Sequence, residues 1–373
     1  MKKRRASERL LFLLLLIMLS GNHSIIGHSA PRDFLEKSLA NSHLAQAYLF
    51  AGASGLGKKK LARWFIEKII VKMGPAPVLP HPSGVGGRSN FASQSGEGAF
   101  PFQIKLVERI INPKTGKKNK DISLEQIQEI QEFLSHHSFL GKIKAVVIDG
   151  VGSLNQHAAN ALLKVLEEPK DNCFLFLLAE NGEEVLPTIA SRCQLIFFNS
   201  VSSAEIYQAL LERGADAGLA SEISYLACGQ PGRALDFYHD LESLKIYKNQ
   251  RQEFLTILTS NDLNSAFSAI EPYFKKKADH IEGREILISL LENWVSVCRD
   301  LVLSQAGVRD QLPRKKERVN SLDVSEDLLQ ISLAKISLQR LAKIIESVWE
   351  SKEWLNQNIH PKLVMENLIL NLL

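Results

Sequence analysis

The stretch Ala47-Tyr48-Leu49-Phe50-Ala51-Gly52-Ala53-Ser54-Gly55-Leu56-Gly57-Lys58-Lys59-Lys60 constrains the fold most, because an apolar run feeds a glycine loop and then a helix-forming segment. Gly52, Gly57 and Lys58 have the G-x-x-x-x-G-K spacing of a phosphate-binding loop, with Gly55 inside it. Such a loop aims backbone amides and a helix N-terminus at phosphate oxygens, while the lysine meets the outer phosphates. The next residue departs from the pattern. A Ser or Thr hydroxyl there would ligate magnesium, whereas Lys59 offers an ammonium, and a cation cannot ligate a cation. The loop is expected to hold phosphate without the usual magnesium site; a ligand-free strand-to-helix turn is the alternative.

A second stretch, Ala145-Val146-Val147-Ile148-Asp149-Gly150, is a continuous apolar strand with a carboxylate at its carboxyl end. A nucleotide-binding parallel sheet presents its magnesium-facing Asp there, so Asp149 is the candidate; a helix-capping Asp is the alternative. Around these stretches strands and helices alternate. Pro31 opens a helix with Phe34, Leu35, Leu39 and Leu44 near helical spacing, and Leu61, Phe65, Ile69 and Ile70 stripe the helix after the loop. Phe102, Ile104 and Leu106 read as a half-buried strand, Ser123 with Gln126 as a capping box, and Ala158, Ala159, Leu162, Leu163 and Leu166 as another inward face. Phe174–Ala179 and Gln194–Phe198 are further strands. The expected class is α/β, with a parallel sheet.

A chain of 373 residues is long enough for two or three domains, and its net charge of +4 permits a nucleic-acid partner without demanding one. Cys173, Cys193, Cys228 and Cys298 form no C-x-x-C pair, which argues against zinc and against a disulfide framework and suits a reducing compartment. The N-terminus points elsewhere: Lys2 to Arg5 and the apolar Leu10–Leu19 look like the first two regions of a secretory signal, too short to span a membrane and without a clear cleavage site. From Gly74 to Pro101 the chain is rich in Gly, Pro and Ser and reads as a mobile surface excursion, and Pro113–Lys120 as a basic turn.

Three groups of residues together carry a family resemblance. They are His43 to Phe50 with the glycine loop, Asn160-Ala161-Leu162-Leu163-Lys164-Val165-Leu166-Glu167-Glu168-Pro169, and Leu186-Pro187 through Ser191-Arg192-Cys193. In these the chain resembles the bacterial clamp-loader family of AAA+ proteins, from about Ile25 to Leu373. Cys228-Gly229-Gln230-Pro231-Gly232-Arg233-Ala234-Leu235 is similar to that family's lid signature. The resemblance implies an AAA+ core over 25–200, a three-helix lid over 201–243 and a helical collar over 244–373, with 1–24 outside it. The family's four-cysteine zinc module has no cysteines here, 74–101 standing in its place, so no zinc is expected.

ATP-hydrolysing members keep the loop Thr and a Glu after the strand's Asp; Lys59 and Gly150 replace them, which implies a non-hydrolysing member without ATPase activity of its own. Gly52, Gly55, Gly57, Lys58, Lys59 and Asp149 are then a degenerate nucleotide site, with ATP or ADP held unhydrolysed at most. Arg192 is implied as an arginine finger acting in trans on a neighbour's nucleotide, a task suited to a permanently charged planar fork; a surface arginine paired with a carboxylate is the alternative. Arg233, beside Gly232, is not expected to sense nucleotide. Implied partners are gamma/tau-like and delta-like subunits of a hetero-oligomeric ring, the sliding clamp, and primer-template DNA, in the cytoplasm and with no membrane. An active ATPase of the same family and an exported protein are the competing readings. In the remainder, Ser202 with Glu205 caps one helix and Pro231 opens another. Phe254, Leu255, Leu258, Leu287, Leu290, Leu291 and Trp294 mark packed helices around a charged Arg309–Asn320 loop, with Trp294, Trp349 and Trp354 expected in the core.

Overall fold

The structure is a computed structural model that describes residues 25–73, 102–110, 119, 121–135, 143–260, 262–275, 280–306, 336–357 and 359–372. The leader (1–24), the Gly/Ser-rich segment (74–101), most of the basic turn (113–120) and the charged loop (309–320) lie outside them. The chain divides into two compact units, 1–110 with 119–199, and 111–118 with 200–373.

The first unit is built on a five-stranded sheet of β1 (Ala47–Ala51), β2 (Phe102–Val107), β3 (Ile143–Asp149), β4 (Cys173–Ala179) and β5 (Gln194–Phe197), in the order β2-β3-β4-β1-β5. Every pairing is parallel. Parallel sheets need both faces covered, which is why β1, β3 and β4 are nearly unbroken apolar runs. Tyr48, Phe50, Ala145, Val147, Phe174 and Phe176 face the helices Ser29–Ala40 and Lys58–Met73. The alternate residues Leu49, Val146, Ile148, Leu175 and Leu177 face Leu124–Ser135 and Gln156–Glu167. Tyr48 and Phe176 stack with centroids 5.3 Å apart while Phe65 meets Tyr48 edge-on, which locks the loop's strand to the loop's helix.

Some expected inward faces differ. Phe34 is exposed, the first helix burying Leu35 and Leu39 instead. Ile104 and Leu106 are each 46% exposed, because β2 is the outer strand beside β3 and alternation alone cannot say that a face lacks a cover. Ser123 donates its amide to the Gln126 side chain at 3.1 Å, which is one of the two bonds of a capping box.

In the second unit the helices Ser203–Leu211, Ala217–Leu226 and Pro231–His239 follow one another, the first with a complete Ser202/Glu205 capping box and the third opened by Pro231. Longer helices follow, Leu241–Ser260, His280–Gln305, Leu338–Asn356 and Pro361–Leu372 among them. They enclose Phe254, Leu255, Leu258, Leu287, Leu290, Leu291 and Trp294, and Phe254 stacks on Trp294 at 4.4 Å. Trp354 packs against this cluster, but Trp349 is 63% exposed, so its expected place in the core is wrong. Helix Leu338–Asn356 buries Leu341, Ile344, Val348 and Leu355, and Trp349 lies one position off that stripe. Among the described residues no helix is long and apolar enough to cross a membrane.

Candidate functional site: a phosphate loop beside a neutralised acidic edge

The glycine loop leaves the carboxyl end of β1 and enters the helix at Lys58. Its backbone demands glycine where the chain turns. Gly52 has φ 155°, and a Cβ there would stand 2.5 Å from the Phe198 carbonyl oxygen; Gly55 and Gly57 have φ 74° and 88°. Gly52→Ala is therefore expected to destabilise the first unit by about 1–3 kcal/mol, read as a lower urea midpoint. At Gly57 no neighbouring atom of the described residues lies within 4 Å of where a Cβ would be, so among them the loop is open on that side. Lys58 is buried, donating to the carbonyl oxygens of Gly52 at 2.5 Å and Ala53 at 2.8 Å. Burial holds its ammonium below the usual lysine value, against the opposing charges of Glu180, Asp149 and Glu184.

Strand register places the carboxylates. Leu178 of β4 pairs with both Phe50 and Asp149, so Asp149 stands level with the strand residues that feed the loop. On the other side Val107 pairs with Ile148, which brings Glu108, one residue past β2, level with Asp149. Lys59 bridges the two, its Nζ lying 3.2 Å from Glu108 Oε2 and 3.3 Å from Asp149 Oδ2. Burial pulls the Lys59 ammonium down, but the hydrogen bond to Glu108 and the Asp149 charge outweigh it and leave its pKa raised. Glu108 has no motif of its own and was missed in the sequence; its signal is that a carboxylate follows β2 much as Asp149 ends β3. Asp149 does not act as a helix cap, since Gly150 occupies the cap position of the next turn without a side-chain bond and Asn155 caps Gln156–Glu167.

These residues fit the two parts of a magnesium nucleotide unequally. The open loop and Lys58 suit phosphate, whereas an ammonium already stands between the carboxylates that would face a metal. Gly150 has no side chain to orient a water.

Arg192 follows the short helix Pro187–Ala190 and is 38% exposed. Its guanidinium donates to the Thr188 carbonyl at 2.9 Å and to Glu167 at 2.8 Å, which holds it at the surface. Cys193 beside it is a neutral thiol at pH 7, burial pushing it up to about 12. Arg233 turns toward Glu292 at 3.6 Å and lies over the Tyr247 ring. His28 was not anticipated: in the left-handed region, it bonds the Leu56 carbonyl at 2.7 Å and tilts against Phe198, closing the loop's far side.

Residues 27–202 match the family described as DNA polymerase III, delta subunit. Over those residues, just under half of its length, the chain is similar to that family. The delta′ subunit of Bacillus subtilis is 24% identical over 91% of this chain and 94% of that protein. That of Haemophilus influenzae is 41% identical over 43% of this chain, spanning 44% of its own length. The tau subunit of Bacillus subtilis is 22% identical, over 92% of this chain and 59% of the relative. Among solved structures, the Bacillus subtilis DNA clamp loader delta protein is 12% identical with a TM-score of 0.32, covering 91% of this chain and 98% of that one. Likeness of that grade carries no functional argument.

Proposed function

We propose that this chain is a delta′-like, non-hydrolysing member of a DNA polymerase III clamp-loader ring, which helps load the sliding clamp onto primed DNA and lends Arg192 to a neighbouring subunit's ATP. The observation that carries the reading is Lys59 between Asp149 and Glu108, followed by Gly150. The position of the metal-ligating hydroxyl holds a cation, and the position of the water-orienting carboxylate holds nothing. ATP or ADP on the loop amides and Lys58 would stay unhydrolysed and is no required cofactor. Arg192 on the surface supports action outside this chain's own site: a guanidinium there can fork onto phosphate oxygens across an interface.

The tau relatives favour a second reading, an active ATPase of the same family. ATP turnover by the purified full chain separates the two. The expected result is a rate at background, unchanged in Lys58→Ala; turnover that Lys58→Ala abolishes would establish the active reading. In cells the chain is expected to co-purify with gamma/tau-like and delta-like subunits from the cytoplasm, and removal of 1–24 is expected to leave that assembly intact. A processed N-terminus with loss of those partners would favour export.

A further inference from the structure

A nucleotide-binding sheet of this kind places a divalent cation between the loop hydroxyl and the strand carboxylate. Here the residue after Lys58 is Lys59, and its Nζ is within 3.3 Å of Asp149 and 3.2 Å of Glu108. The two carboxylates come from neighbouring strand ends fixed by register, and Gln126 Nε2 donates to the Glu108 carbonyl at 2.9 Å, which tethers that end of β2. The carboxylate pair is thus a built feature of the sheet. Two carboxylates held level on adjacent strands repel each other unless a cation lies between them.

We infer that Lys59 is a covalently attached counter-ion that takes the place of the divalent metal, so that the site excludes metal while Lys59 is present and becomes a divalent-cation site when Lys59 is replaced by a hydroxyl residue. Glu108 and Asp149 alone are too few to hold an ion firmly, and among the described residues no cluster of His, Cys, Asp and Glu is sufficient. Lys59→Thr supplies the missing oxygen and removes the charge that repels the ion. Oxygen donors of this kind suit magnesium or manganese. The inference deepens the reading of a silent nucleotide site, but its test needs neither nucleotide nor partner, so it can fail while the ring assignment stands.

The test titrates the full chain with Mn²⁺ at neutral pH and follows the free-ion electron paramagnetic resonance signal. Wild type is expected to leave Mn²⁺ free, and Lys59→Thr to bind it at least about tenfold more tightly, the order expected from removing a charge a few ångströms away. Lys59→Met, which cannot ligate but equally removes the charge, is expected to give a smaller gain, and Asp149→Asn in the Lys59→Thr chain to abolish it. Thermal unfolding of each variant checks that it is folded, and Lys59→Thr should gain more stability from Mn²⁺ than Lys59→Met, with the gain lost when Asp149→Asn is added. Mn²⁺ binding by wild type that disappears with Asp149→Asn overturns the inference. So does a folded Lys59→Thr chain with no gain over wild type.

Discussion

Asp300→Ala is expected to destabilise the C-terminal unit by about 3–5 kcal/mol. Asp300 is buried and accepts from Arg251 at 2.6 Å through one oxygen and from Arg299 at 2.8 Å through the other. Arg251 is itself buried, its second nitrogen donating to Ser296 at 3.0 Å, and Ser296 meets the Cys228 thiol at 3.1 Å. Removing the carboxylate leaves a guanidinium in the interior that cannot shed its proton, so the cost is that of an unpaired buried charge rather than of one lost hydrogen bond. Replacing both partners together, as Arg251→Met with Asp300→Leu, is expected to cost far less than either change alone, because no buried charge is then stranded, the Arg299 side chain being 44% exposed and able to meet water. Urea midpoints for the single and double variants form the cycle. Equal and additive losses would show that the pair is not coupled. The network joins Cys228, just before the helix opened by Pro231, to Ser296 and Asp300 on the long helix His280–Gln305, which suits a subunit proposed to keep one shape.

What could be read from the sequence follows from how local each signal is. The loop, β1, β3 and β4 were legible because each is a continuous apolar run bounded by turn residues, and a buried parallel strand has no other way to look. Asp149 was legible because the strand itself points to its own last residue. Glu108 was not, because its importance comes from sheet order: only the placement of β2 beside β3 brings it to Lys59. Lys59 could be recognised as an ammonium where a hydroxyl belongs, but its bridging of two carboxylates needed the register. Trp349 shows the limit of judging by residue type. Leu341, Ile344, Val348 and Leu355 keep helical spacing and Trp349 does not, so the periodic signal was present and a large apolar side chain outweighed it. Ile104 and Leu106 fail for the opposite reason, since their alternation is real but among the described residues no helix buries that part of the edge strand.

Arg192 is the residue on which the proposed role in the ring depends. In this chain it is held by Glu167 and Thr188, yet both members of the ion pair are more than a third exposed, and such pairs contribute about 1 kcal/mol or less. Turning the guanidinium from Glu167 to a neighbour's phosphate therefore costs little compared with what a trans-acting arginine contributes to phosphoryl transfer, on the order of a thousandfold or more at its site. Arg192→Ala should leave the fold and assembly of this subunit intact. Glu167→Ala, which removes only the resting partner, should leave the loader active. Because one site among several in the ring would be affected, the bulk ATPase rate should fall in part, while clamp loading, which needs the sites to act together, should fall further. Arg192→Lys should not restore either, since an ammonium lacks the planar fork.

The most direct measurement is the DNA- and clamp-stimulated ATPase of a reconstituted loader containing Arg192→Ala, followed alongside the rate of clamp loading on primed DNA. The expected result is a fully assembled ring with a partial loss of ATP turnover and a larger loss of loading. A mutant ring that turns over ATP and loads clamps at the wild-type rates would contradict it and leave Arg192 a surface arginine paired with Glu167.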